Sequence, residues 1–228
     1  MRTVSETAVP THLGVVMDGN RRWARAAGHA SASAGHRVGA QHVEDLLGWC
    51  AEAGIEHLTT YVLSADNIRK RSATEVQYLF DLLTGTLPDL VMRSREWSLH
   101  VAGDLALLPG EARTVLTSAV RDTAGRPRHL TMAIAYDGRA DIVDAVRAAI
   151  RAGHDATDPA VITGHLGGGP RKEVDLVIRT SGEHRLSGFL PWQTAHAEVV
   201  VSDKAWPAFA REDFEAALRM YGDRVASQ

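Results

Sequence analysis

Short apolar runs alternate with longer stretches of helical periodicity along the chain. The apolar runs predict strands over His12 to Met17, His57 to Leu63, Ser98 to Ala102, Leu130 to Ala135, Val174 to Ile178 and Ala197 to Val201. Between them the 3.6-residue period predicts helices over Val38 to Ala53, Ala73 to Met92, Gly110 to Thr123, Ala140 to Ala152, Pro159 to Leu166 and Arg211 to Tyr221. In the first helix Val43, Leu46, Leu47 and Cys50 share one face, and Gly54 supplies the stop. The second contains Gly85 and Pro88, which predict a bend or break in its later turns. Such alternation indicates an α/β fold with a central, mainly parallel six-stranded sheet flanked by helices.

The 228 residues suit a single domain, 1–228, with residues 1–10 as a flexible lead-in. Hydrophobic residues make up 45% and charged residues 23%, which excludes a disordered or fibrous chain. A net charge of −3 gives no bulk attraction to nucleic acid, so no such partner is expected. There is no run of about 18 apolar residues, and Met1 to Pro10 lacks the basic and apolar regions of a signal peptide. The expectation is a cytoplasmic protein without stable membrane insertion. Cys50 stands alone, so neither an internal disulfide nor a cysteine-based zinc cluster can form. Of the 25 basic residues 22 are Arg, whose fork suits phosphate, although a biased nucleotide composition gives the same ratio. No pair among the 11 histidines has zinc-site spacing.

Polar chemistry concentrates just after the strands. The first runs into Asp18-Gly19-Asn20-Arg21-Arg22-Trp23 and a helix-forming stretch, which places free N–H groups and two arginines at a helix N-terminus, a phosphate cradle. Taken alone, Asp18 as a plain cap beside solvated arginines fits equally well. The second strand ends in Ser64-Ala65-Asp66-Asn67-Ile68-Arg69-Lys70-Arg71, and the fifth in Arg179-Thr180-Ser181-Gly182-Glu183-His184-Arg185-Leu186-Ser187, suited to a second phosphate. Glu198 opens the last strand, where an unpaired carboxylate needs a cation or a metal. Ligands of open α/β sheets bind beyond the carboxyl ends of the strands. Two anionic ligands with magnesium between them is the simplest account of these groups.

The motifs Asp18-Gly19-Asn20-Arg21-Arg22-Trp23, Gly35-His36-Arg37 and Arg179-Thr180-Ser181-Gly182-Glu183-His184-Arg185-Leu186-Ser187, with Trp206-Pro207-Ala208-Phe209, resemble those of the cis-prenyltransferases. This family of Z-type prenyl diphosphate synthases includes undecaprenyl and short-chain Z-farnesyl diphosphate synthases. The resemblance implies a homodimeric, Mg2+-dependent enzyme with a hydrophobic tunnel between sheet and helices. It implies that Asp18 handles the metal and the leaving diphosphate, with Glu198 as a second metal partner. Gly19, Asn20, Arg21, Arg22, Trp23 and His36 then belong to the allylic diphosphate site, with Lys70 standing where the family has Arg. Arg179, Arg185 and Ser187 bind the second diphosphate, and Ser64 and Asn67 assist proton removal. His184 is a further candidate contact.

Several positions depart from the family pattern. Ile68, Lys70 and Arg71 replace an aromatic residue and Arg-Pro; Asp137 stands in Tyr136-Asp137-Gly138-Arg139 where the family has Gly; and Pro191 interrupts Leu190-Pro191-Trp192-Gln193. Ser31-Ala32-Ser33 replaces a stretch that carries an arginine before His36. The chain ends at Tyr221 to Gln228 without the Arg-x-Gly tail that regular members bring to the acceptor site. The expectation is irregular head-to-middle coupling, with dimethylallyl diphosphate as acceptor and a lavandulyl-like product. The alternative is regular head-to-tail synthesis of Z,E-farnesyl diphosphate from isopentenyl diphosphate. A non-catalytic partner subunit is disfavoured, because Asp18, Asn20, Arg22, Asn67, Arg179, Arg185, Ser187 and Glu198 are retained. Tyr78 and Phe80, with the Gly85 and Pro88 bend, are expected to wall a short tunnel, although both aromatics fit an ordinary core as well.

Overall fold

The strands are β1 (His12–Val16), β2 (His57–Ser64), β3 (Trp97–Ala102), β4 (Arg128–Tyr136), β5 (Leu176–Thr180) and β6 (Glu198–Ser202). In this computed structural model, which describes residues 8–227, they form one sheet in the order β3-β4-β2-β1-β5-β6. Every pairing in it is parallel. Most of the expected flexible lead-in, residues 1–7, lies outside the described residues. All five residues of β1 and of β5 are buried, as continuous apolar runs covered on both faces require. The winding direction reverses between β1 and β5, and it is there that an open α/β sheet places its ligand crevice.

The helices are α1 (Asn20–Ala26), α2 (Ala32–Glu52), α3 (Ala65–Lys70), α4 (Ala73–Thr84), α5 (Thr86–Ser94), α6 (Gly110–Asp122), α7 (Gly138–Arg151), α8 (Pro159–His165) and α9 (Arg211–Val225). The expected 73–92 helix is broken at Gly85, which leaves helical geometry at φ −116° and ψ −84°. Pro88 falls in the first turn of α5, where its missing N–H costs nothing. Two expectations shift. Helix α2 starts six residues early, capped by the Ser31 hydroxyl, which accepts from the Ser33 N–H (3.1 Å). Strand β5 runs two residues later than predicted, so Arg179 lies within the strand and not beyond it.

Helices α2, α4, α5, α6 and α9 cover one face and bury Leu13, Leu46, Leu58, Trp97, Leu116, Leu130 and Phe214 with the sheet. Cys50 is fully buried in this layer as a small hydrophobe, and burial pushes its thiol pKa up. On the opposite face Val16, Tyr136, Val177 and Phe189 form a second cluster, as the alternation of side chains along β1 and β5 dictates. Among the described residues no helix is long and apolar enough to cross a membrane.

Candidate active site at the strand ends

β1 delivers Asp18 to the carboxyl edge of the sheet beside Arg179 of β5. Asp18 Oδ2 accepts from Arg179 Nη2 (2.8 Å), and Oδ1 accepts from the Gly19 N–H (2.7 Å). The Thr180 hydroxyl fixes the backbone here, accepting from the Asp18 N–H (2.9 Å) and donating to the Asp18 carbonyl (2.8 Å). Gly19 has φ +96°, and a Cβ there would lie 2.6 Å from Ser181 Oγ and 2.8 Å from Ala205 Cβ, so only glycine fits the turn. α1 starts at the next residue. Asn20 donates to the Met17 carbonyl (3.1 Å), whereas its Oδ1 is buried without a protein partner. Arg22 reaches Asp18 (3.8 Å) and Glu183 (3.7 Å) from an exposed position.

Helix α2 lies unusually close to α1. A methyl group at Gly35 would overlap the Asn20 carbonyl oxygen, and one at Gly39 the Asn20 side-chain oxygen. The Gly39 carbonyl accepts from the Trp206 indole (2.8 Å). This approach buries His36, whose Nε2 lies 3.0 Å from Glu75 Oε1. Burial lowers the His36 pKa against the opposing pull of Glu75.

Arg179 is 3% exposed; its Nη1 donates to Ser187 Oγ (2.9 Å) and to the Arg185 carbonyl. Its Nε is buried without a partner, a free donor beside the crevice. Arg185 is exposed and pairs with Glu183. At the end of β2, Ser64 caps α3 by accepting from the Asn67 N–H (3.0 Å). Asp18, Asn20, His36, Ser64, Asn67, Arg71, Arg179 and Ser187 together line a cleft of about 620 Å³, whose far wall is Tyr136, Asp137, Gly138 and Arg139. An adjoining hollow of about 480 Å³ adds Gly19, Arg21, Arg22, Arg25 and Arg185. Beneath the cleft an apolar cavity of about 50 Å³ runs between α2 and α4, lined by Ala40, Val43, Leu79, Leu82, Leu83 and Leu87.

Several sequence-predicted residues stand apart from the cleft and the cavity of a single chain. Lys70 is 75% exposed and pairs with Asp66 (2.7 Å) on the solvent side of α3. The next residue, Arg71, ends that helix in extended geometry and points into the cleft, bonded to Glu75 Oε1 (3.1 Å). Trp23 stacks on His29 outside the cleft, with ring centroids 5.5 Å apart. Tyr78 and Phe80 do not line the cavity; α4 walls it with Leu79, Leu82 and Leu83. Glu198 opens a parallel strand and so sits at the opposite edge of the sheet. It is in register with Leu176 and Leu13, five residues short of Asp18, or roughly 16 Å along the strands. There it pairs with Arg224 (2.6 Å). One chain therefore cannot place Asp18 and Glu198 on a shared ion. His184 is exposed and outside the cleft. Arg71 and Glu75 are the residues that sequence reading missed.

Among the described residues no three His, Cys, Asp or Glu side chains converge on a metal position. Magnesium is commonly held by one or two carboxylates together with substrate phosphates and water, so Asp18 at the mouth of an arginine-lined cleft fits that ion when a diphosphate is present.

The family model described as "Putative undecaprenyl diphosphate synthase" matches residues 16–227, from the end of β1 to just beyond α9. The chain belongs to this family. It is a prenyltransferase, as are its named relatives. A short-chain Z-isoprenyl diphosphate synthase of Mycobacterium leprae is 41% identical over 97% of this chain and 88% of that protein. A (2Z,6E)-farnesyl diphosphate synthase of Mycobacterium tuberculosis is 40% identical over 98% of this chain and 89% of its own length. Among solved structures, lavandulyl diphosphate synthase from Lavandula x intermedia, in complex with dimethylallyl diphosphate, superposes with a TM-score of 0.85 at 31% identity, covering 94% of this chain and 95% of that one. The all-parallel sheet and flanking helices are those of the cis-prenyltransferase fold.

Proposed function

We propose that this prenyltransferase joins a short allylic diphosphate to a second five-carbon prenyl diphosphate, with dimethylallyl diphosphate as acceptor in a head-to-middle coupling. The acceptor wall carries this reading. Asp137 brings a carboxylate to the cleft where the family pattern has glycine, and a methyl group at Gly138 would overlap the ring of Pro191, so two departures from that pattern meet at one place. Asp137 also caps α7 by accepting from the Arg139 and Ala140 N–H groups, which fixes its position. The likeness to lavandulyl diphosphate synthase supports the same reading.

The donor diphosphate lies against Asn20, Arg22, His36 and Arg71, with its hydrocarbon directed toward Leu79 and Leu83. The acceptor diphosphate lies against Arg179, Arg185 and Ser187. Asp18 would hold Mg2+, which would supply charge stabilisation to the oxygens of the departing diphosphate. The fixed arginine donors stabilise the same oxygens. Holding the acceptor alkene against the allylic carbon as the C–O bond breaks supplies much of the rate. The new C–C bond leaves a tertiary cation, which loses a proton toward Ser64, Asn67 or a diphosphate oxygen. A homodimer belongs to the proposal, since only a second copy could bring Glu198 to a metal held by Asp18.

A regular head-to-tail synthesis of (2Z,6E)-farnesyl diphosphate is the second reading, favoured by the names of the mycobacterial relatives. Dimethylallyl diphosphate as the sole prenyl substrate, with Mg2+, separates the two. Branched ten-carbon product is expected. Turnover only after isopentenyl diphosphate is added overturns the irregular reading and leaves the regular one.

A further inference from the structure

Away from the cleft, toward the starting edge of the sheet, the strands carry a row of histidines. Leu13, Leu58, Leu99 and Leu130 are buried in the main helix-covered core. Their strand neighbours His12, His57, His100 and His129 therefore project from the other face of β1, β2, β3 and β4. His12, His57 and His129 are in register across three adjacent strands. His57 stacks on His129 with ring centroids 4.9 Å apart, and His129 Nδ1 lies 3.0 Å from His100 Nε2. The loop Gly167-Gly168-Gly169-Pro170-Arg171-Lys172 lies flat on the same face. Its Gly169 N–H donates to Thr131 Oγ1 (3.0 Å), and a Cβ at Gly168 would lie 2.9 Å from Thr131 Cγ2. Strands, loop and α8 border an open cavity of about 710 Å³, lined by His100, His129, Pro170, Arg171, Lys172 and Glu173. It shares no residue with the coupling cleft.

The charges around this cavity balance while the histidines are neutral. Lys172 Nζ donates to the Gly167 and Gly168 carbonyls (3.2 Å each) and, among the described residues, pairs with no carboxylate. Arg171 donates to Asp175 Oδ1 (2.9 Å), and its Nε is buried without a partner. Glu173 is exposed, and its carbonyl lies 2.9 Å from His12 Nδ1. Asp141, the carboxylate that acts on Lys172 from beneath the loop, is already held by the Tyr136 hydroxyl and the Gly167 N–H. Glu56, beside His57, is exposed, and α8 brings only Ala160, Thr163 and Gly164. The contact between His100 and His129 needs one nitrogen with a proton and one without. The pair can therefore hold a single added proton in a charge-assisted bond, and a second would break it. Burial and the neighbouring His129 push His57 down to about 4, so it stays neutral when the pair is charged. We propose that the His100 and His129 pair, with Lys172 and Arg171, is a binding site for a small oxyanion of the phosphate or sulfate class, filled when the pair takes up a proton. That proton tips a balanced cavity to net positive charge and adds a donor beside the unused Lys172 N–H. The same cations, and the lack of three converging metal-ligating side chains among the described residues, turn the site away from a metal ion. A bound anion favours the charged pair, so affinity rises as pH falls below neutral.

Sulfate is the probe, because its charge does not change over the range in which histidine titrates. The imidazole Cε1–H signals of the full chain are followed by NMR from about pH 5.5 to 8, in sulfate and in chloride at equal ionic strength. His100→Asn and His129→Asn identify the two signals of the pair. The pair is expected to titrate higher in sulfate by about half a unit or more, which corresponds to roughly threefold tighter binding to the protonated form. The exposed His154 should titrate alike in both salts, and His184, next to Arg185, reports separately any sulfate at the diphosphate positions. Lys172→Met should abolish the shift of the pair. Equal titration of the pair in the two salts, a shift shared by His154, or a shift that survives in folded Lys172→Met overturns the proposal.

Discussion

Arg179→Lys tests the junction between β1 and β5 most directly. The guanidinium spans two ends of the site, with Nη2 on Asp18 (2.8 Å) and Nη1 on Ser187 (2.9 Å) and the Arg185 carbonyl. A lysine keeps the positive charge but offers one nitrogen, which can serve one end and not both. Hydrogen bonds from a charged donor are worth about 1.5–3 kcal/mol each, so losing the Ser187 bond alone costs about 1.5–3 kcal/mol in the assembled site. At about 1.4 kcal/mol per decade this is roughly a 10- to 100-fold fall in kcat/KM. With Ser187 and Arg185 on the acceptor side, as proposed, the loss should appear in acceptor KM more than in donor KM. Steady-state kinetics with each prenyl diphosphate varied in turn measures this, and Tm records any loss of fold. A folded Lys variant within threefold of the unaltered enzyme for both substrates would refute the argument that the fork organises the site. Arg179→Met is harsher, leaving Asp18 without its main partner, but Asp18 is 35% exposed and water recovers part of the cost.

Three further outcomes are expected. Arg71→Ala should raise donor KM at least tenfold, whereas Lys70→Ala, on the solvent side of α3, should change it less than twofold; initial rates at varied donor check both. Leu83→Ala enlarges the apolar cavity and should lengthen the product measured by mass spectrometry, at a stability cost of about 2–5 kcal/mol, while Tyr78→Ala should leave product length unchanged. Burial lowers the His12 pKa to about 4, below its ordinary 6.5 in the unfolded chain. The unfolded state therefore takes up the proton first as pH falls. The stability that neutral His12 contributes is complete above about pH 6.5 and is lost toward pH 4, by roughly 3 kcal/mol. Urea denaturation at pH 7.5 and 4.5 should show this, and His12→Gln should remove that part of the slope.

The six strands were legible because continuous apolar runs have few other uses, and the break at Gly85 because glycine and proline punctuate a helix whatever surrounds them. The motif residues Asp18, Asn20, His36, Arg179 and Ser187 do meet at one edge, which follows once the strands are parallel. The errors have definite causes. Six residues of α3 are too few to show periodicity, so the rotation that sends Lys70 to solvent and Arg71 inward could not be read from the chain. Glu198 opens its strand, and in a parallel sheet the two ends of a strand face opposite crevices, so the distance between it and Asp18 within one chain follows from a strand direction that residue type does not show. Glu75 had no visible signal, because its partners come from three other elements brought together by the close packing of α1 on α2 around Gly35 and Gly39.

The cleft and the apolar cavity share Met17, Asn20, His36, Tyr61, Val62, Leu63 and Leu79. Turnover and chain length are thus written in one alphabet at these positions, and engineering either trait there will drag the other with it. Ala40, Val43, Leu82 and Leu87 border the cavity and not the cleft. A library restricted to those four is where product size can be retuned while the coupling machinery is left as selection made it.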